Sequence, residues 1–198
     1  MVSEERVGHA VNRNALPDRF PTRKHDPAFW EALGRAVATF GFLENTLSKA
    51  IFAVTATTHY EEEQIEGVYN AWLSTLERAL VDPLYNLIDV YEKAVRKNTK
   101  TTVENFDGLL KDLRDASKIR NVICHGSWGL PDSRGATVPF FVNKQREVFN
   151  TPVDTSFLSQ LQRSTTTLAC AVINTVTHMG WQFPGSNGPG EEIWNSRK

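Results

Sequence analysis

The sequence predicts an all-α protein: a bundle of about five helices with a small β-hairpin inserted before the last long helix. Three observations lead there. Apolar residues recur in steps of three and four along several long segments, the period of a helix with one buried face. Two of those segments open on Asp-Pro, at 26–27 and 82–83, a cap followed by the residue best tolerated at the first helical position. The period changes to two only between about 127 and 150, where Val138, Phe140 and Val142 alternate with other residues.

Each element follows in order. Residues 1–25, ending in ALPDRFPTRKH, mix prolines and charges without a sustained period and are expected to form a flexible N-terminal arm. The helical domain is expected over 26–182. Its first helix runs from Asp26-Pro27 to about residue 56, with a stripe of Leu33, Val37, Phe40, Glu44, Leu47 and Ile51. A second, about 61–80, carries Ile65, Val68, Trp72, Leu76 and Ala79 on one face. Asp82-Pro83 starts a third, with Leu84, Leu87, Ile88, Tyr91 and Val95, and the basic run RKNTK closes it as cations close a helix C-terminus. The fourth, about 102–124, aligns Phe106, Leu109, Leu113, Ala116, Arg120 and Ile123 and meets a glycine stop at His125-Gly126. Turn signals at Pro131-Asp132 and Arg134-Gly135 shape the hairpin at about 127–150. Asp154 caps a fifth helix, about 155–180, with Phe157, Leu161, Leu168, Val172, Val176 and Met179 inward. Residues 183–198 are rich in Gly and Pro and are expected as a flexible C-terminal tail, with Ile193 and Trp194 as its docking side chains.

A chain of 198 residues, 40% hydrophobic, has enough apolar surface to bury a core. Its net charge of −1 exerts no global pull on nucleic acid or lipid, so an anionic polymer would have to be held by a local basic patch. Two cysteines, Cys124 and Cys170, are too few and too far apart for a disulfide framework or a zinc site, and reduced thiols are expected. No apolar run approaches the roughly eighteen residues of a membrane span, and MVSEERVGHAVNRN lacks the core of a secretory signal. A cytoplasmic protein with no membrane partner is the expectation. No cofactor or metal is expected: His59 and His178 lack ligand-spaced partners, and YEEEQ at 60–64 reads as an acidic helix start whose consecutive carboxylates point in different directions.

Glu44 and Arg120 each interrupt an otherwise apolar stripe. A charge taken out of water alone costs several kcal/mol, so each is expected to be paired or to face a cleft, and they are candidates for one another. One reading is a structural ion pair, or an arginine whose stem is buried while its head reaches the surface. The other comes from the neighbours. Asn121 and His125 are four apart and face the same way, with Arg120 one step round, so the three form a patch on the last turn of their helix. Imidazole exchanges protons near neutral pH, and the guanidinium fork matches phosphate oxygens. Together they suffice for metal-free cleavage of RNA, whose 2′-hydroxyl is a built-in nucleophile that DNA lacks. Cys124, inside the same stretch, reads as a small apolar filler rather than a nucleophile.

RNVICHG, closing a long helix of an all-α bundle, resembles the HEPN (higher eukaryotes and prokaryotes nucleotide-binding) superfamily, whose mark is an arginine, a polar residue and a histidine a few residues on. GRAVATFGFLENTLSKAIF is similar to the first helix of bacterial members. The resemblance covers roughly residues 27–180, with its specific part in those seven residues. It implies a homodimer whose two motifs face each other across a cleft, and a metal-independent endoribonuclease of the toxin or phage-defence kind, restrained or directed by an antitoxin or defence-system partner protein. Carried over, Arg120 stabilises the scissile phosphate, His125 is the general acid or base, Asn121 orients them, and Glu44 holds Arg120. The implied product is a 2′,3′-cyclic phosphate with a 5′-hydroxyl. The alternative is a catalytically inactive HEPN-like module that binds nucleotide or RNA, or only dimerises. The hairpin and the proline-bearing arm depart from the family pattern. Trp128, Arg134, Lys144 and Arg146 there are either an RNA-contacting flap or a packed Trp beside solvated charges.

Overall fold

Asp26 begins the central helix: its carboxylate accepts the amide hydrogen of Ala28 at 2.8 Å, and Pro27 takes the first helical position of α1 (Pro27–Ala56). The structure, a computed structural model, describes residues 8–61, 66, 67, 69 and 83–187. Among these lie three further α-helices, α2 (Leu84–Lys97), α3 (Phe106–His125) and α4 (Thr155–Thr177), and two short 3-10 turns at Arg13–Ala15 and Thr22–Lys24. The protein is mostly helical. Of the helix expected over about 61–80, residues 66, 67 and 69 are described and are helical; most of the rest lies outside the described residues, as do Ile193 and Trp194. No helix among the described residues is long and apolar enough to cross a membrane.

α1 touches all three other helices, packing most extensively along α4 and then α2. A helix contacted on more than one side needs a broad apolar face. Its buried positions run Leu33, Ala36, Phe40, Leu43, Leu47, Ala50 and Val54, and Ile51 adds to them. Val37, expected in this stripe, is 38% exposed, and Ala36 holds the inward place instead. Glu44 therefore flanks the apolar row rather than interrupting its centre. On α2 the buried residues are Leu84, Leu87, Ile88, Tyr91 and Val95, as the periodicity predicts. Each such aliphatic side chain contributes about 1.5–3 kcal/mol on burial.

α4 starts as expected, with the Phe157 amide donating to Asp154 Oδ1 at 2.7 Å, but it is rotated relative to its expected face. Leu158, Thr165, Ala169, Val172, Thr175 and Val176 are buried, while Phe157, Leu161 and Leu168 pack at the margin. The threonines are admitted because their hydroxyls bond within the helix: Thr165 donates to Leu161 O at 2.8 Å and Thr175 to Val172 O at 2.7 Å. Phe183, the first residue of the expected tail, is buried in the core.

Between helices, Asn98 is buried and closes α1 from outside. Its Nδ2 donates to Val54 O at 2.8 Å and to Thr57 Oγ1 at 3.1 Å, while Oδ1 accepts from the Lys100 amide. Arg114 of α3 binds Asp89 and Glu92 of α2, and Glu92 also accepts from Arg96. Hydrogen bonds from Arg96 and Arg114 hold the Glu92 carboxyl below its ordinary pKa.

The hairpin expected at about 127–150 is not a regular pair of strands. Residues 126–154, here the flap, contain three isolated antiparallel bridges: Ser127 with Phe140, Thr137 with Val153, and Val142 with Val148. The segment around 137–142 thus pairs with chain on both sides, too briefly at each place to build a ladder. Its apolar alternation points outward. Val138, Phe140, Val142 and Val148 are exposed, whereas Thr137 and Pro139 face the bundle.

Candidate active site

The site is built on the last turn and a half of α3, where it crosses the middle of α1. Arg120 Nη2 lies 3.2 Å from Glu44 Oε1, and both side chains are about a quarter exposed. Glu44 Oε1 is itself screened from solvent and meets no donor in hydrogen-bond geometry, so the contact is ionic and the oxygen depends on the guanidinium for compensation. Arg120 Nη1 reaches Asn121 Oδ1 at 3.5 Å, the outer limit of a hydrogen bond. Asn121 and His125 are exposed one turn apart, and His125 is the final residue of the helix. The fold therefore brings Glu44, Arg120 and Asn121 together. It leaves the His125 side chain at the helix end with no hydrogen bond or ion pair among the described residues.

Gly126 ends α3 by space rather than by a left-handed turn. Its φ of −68° is ordinary, and its amide donates to Val122 O at 2.8 Å. A Cβ on it would lie 2.6 Å from Val122 O and 2.9 Å from Pro139 Cβ. Glycine is needed so that the flap can close against the helix end directly behind His125.

Cys124 is exposed, not the buried filler expected. Desolvation of its thiol raises its pKa, opposed by Arg120 and assisted by Glu44, which keeps it a poor nucleophile. Among the described residues no group of three or more His, Cys, Asp and Glu is placed to hold a metal ion.

The flap is tied down by an aromatic cluster that the sequence did not reveal. His25, 7% exposed, stacks on Phe29 with centroids 4.2 Å apart, and Phe29 meets Trp128 edge-on at 5.3 Å. His25 Nε2 donates to Gly129 O at 2.9 Å. The nitrogen must be the donor because a carbonyl only accepts. Trp128 is thus a packing residue, while Arg134, Lys144 and Arg146 are exposed on the flap. A histidine one residue before a helix cap carries no periodic signal, which is why its role needed the fold. The residues define a class: a helical protein with a solvent-accessible Arg–Glu pair, flanked by Asn and His, at a helix C-terminus. No family model, curated protein or solved structure matches the chain.

Proposed function

We propose that this chain is a metal-independent endoribonuclease of HEPN type, a cytoplasmic toxin or phage-defence effector that works as a homodimer. The same reading takes the bundle to five helices, the fifth over about 61–80. Its support is the setting of Arg120: paired with Glu44 at 3.2 Å yet a quarter exposed, with exposed Asn121 and His125 on the same helix end. A purely structural pair has no need of those two neighbours.

In the reaction, the Arg120 guanidinium binds the non-bridging oxygens of the scissile phosphate and offsets the charge that builds there. The 2′-oxygen bonds to phosphorus and the bond from phosphorus to the 5′-oxygen breaks. One proton leaves the 2′-hydroxyl and one is delivered to the 5′-oxygen. His125 performs one transfer, and the motif of the second copy completes the pair. Asn121 orients the guanidinium, and Glu44 restricts its rotation. The products are a 2′,3′-cyclic phosphate and a 5′-hydroxyl. An antitoxin or defence-system partner protein restrains the activity.

The rival is a catalytically inactive HEPN-like nucleotide-binding, RNA-binding or dimerisation module. One observation favours it: the screened Glu44 Oε1 compensates Arg120 within the fold. Incubating a mixed RNA pool with the purified protein in EDTA separates the two. Cleavage by wild type, reduced about 10²-fold or more in His125→Ala and lost in Arg120→Ala, supports the enzyme. A silent wild type, or a normally active His125→Ala variant, decides for the module.

A further inference from the structure

The flap, which follows the candidate active site in the chain, presents an apolar face to solvent. Phe140 is 70% exposed, and Val138, Val142 and Val148 flank it at 45%, 43% and 59%. These four share one face by backbone geometry: Val138 and Val142 are two residues either side of Phe140, and Val148 is bridged to Val142. The face is held in place from behind. Thr137 and Val153 exchange backbone hydrogen bonds of 2.9 and 2.8 Å and are both buried, and Pro139 closes on Gly126. The backbone that carries the ring is therefore anchored to the bundle on both sides of Val138.

Its position relative to His125 is set by one pairing. Ser127 and Phe140 exchange both backbone hydrogen bonds at 2.9 Å, and Ser127 is two residues beyond His125. Chain geometry then keeps the Phe140 Cα no more than about 13 Å from that of His125. Between 127 and 150 the cations Arg134, Lys144 and Arg146 exceed the anions Asp132 and Glu147 by one. Asp132 is occupied in a turn, accepting the Arg134 and Ala136 amides at 2.8 and 3.0 Å, and Glu147 accepts from Asn143 Nδ2 at 2.7 Å. Lys144 and Arg146 at the tip are exposed and form no ion pair among the described residues.

We propose that Phe140 is a base-stacking residue for single-stranded RNA, with Lys144 and Arg146 holding phosphates of the same strand, so that the flap selects unpaired RNA for the Arg120–His125 site. An exposed aromatic ring on the same flap as cations without an ion pair is the combination that binds unstacked bases without reading their sequence. A duplex keeps its bases stacked on one another and offers no free face to the ring. This deepens the endoribonuclease reading and rests on it for the cleavage half alone.

The test measures binding of wild type, Phe140→Ala and Phe140→Trp to a fully 2′-O-methylated single-stranded oligonucleotide, which lacks the nucleophile, and to its duplex. Cleavage of the unmodified strand and the oligomeric state by light scattering are followed in parallel. Phe140→Ala is expected to weaken single-strand binding and raise KM about tenfold or more, with kcat changed far less, while Phe140→Trp restores both. Binding of the modified strand without cleavage of the unmodified one keeps the stacking role and defeats the nuclease. Equal binding by Phe140→Ala and wild type, equal affinity for duplex, or no binding by wild type overturns the proposal. So does a Phe140→Ala variant whose defect is a changed oligomeric state, which would make the face a protein interface. Phe140 is exposed, so an unchanged thermal melt is expected to accompany each result.

Discussion

Glu44 Oε1 and Arg120 Nη2 lie 3.2 Å apart, joining the middle of α1 to the last turn and a half of α3 through two side chains that are neither fully buried nor free in water. Removing the carboxylate strands a cation beside an apolar row. Glu44→Ala is expected to lower stability by about 1–2 kcal/mol, less than a fully buried pair because solvent reaches a quarter of each side chain. Urea denaturation reads this directly. A variant with the wild-type midpoint and wild-type RNA cleavage refutes the pairing as an organising contact.

His25 donates to the Gly129 carbonyl and stacks on Phe29, tying the chain before α1 to the flap. His25→Phe keeps the aromatic stack and deletes the donor. Leaving a partly buried carbonyl unpaired costs about 1–3 kcal/mol, so the melting temperature should fall even though the ring is retained. An unchanged melting temperature would show that the stack alone secures the flap.

Gly126→Ala places a methyl against Val122 O and Pro139 Cβ, at 2.6 and 2.9 Å before relaxation. Backbone oxygen cannot retreat like a flexible side-chain end, so we expect about 1–3 kcal/mol of destabilisation and displacement of the flap from the helix end. Under the proposed endoribonuclease function, RNA cleavage should drop more than stability accounts for, because the substitution moves Phe140 relative to His125. A variant as stable as wild type contradicts the close packing of Gly126 on Pro139.

Glu92 accepts hydrogen bonds from Arg96 and Arg114, which depress its pKa below the ordinary value of 4.5. A carboxyl with a lower pKa in the folded state stabilises the fold above its unfolded pKa and loses that contribution as the pH falls through the folded one. Acid denaturation should therefore be shallower in Glu92→Gln than in wild type below about pH 4.5, with the variant less stable at neutral pH. Parallel curves for the two proteins over that range would rule out a role for this carboxylate.

Much of this structure is legible in residues taken in order. Asp26-Pro27 and Asp154 announce helix starts that the fold keeps, and the five apolar positions of α2 are the five it buries. Glu44 and Arg120, the two charges beside apolar rows, find each other. What stayed hidden has a common cause. Thr165, Thr175, Ser117 and Thr46 are buried although they count as polar, because each hydroxyl donates to a carbonyl three or four residues back and leaves its remaining surface apolar. Treating them as solvent-facing turns the expected face of α4 away from the true one.

The flap shows the complementary limit. Alternation of Val138, Phe140 and Val142 establishes that they share a face, but a period of two is the same whether that face looks in or out. Thr137 pairing with Val153 and Pro139 closing on Gly126 turned it outward. Where helices begin, which residues align along them, and that two charges required compensation can be read from the residue order, since propensity, capping and periodicity act over a few neighbouring residues. The fold was needed to settle which face meets the core, that His25 reaches Gly129, and that Phe140 pairs with Ser127, two residues beyond His125. Those depend on contacts between residues far apart in the chain, which no local pattern encodes.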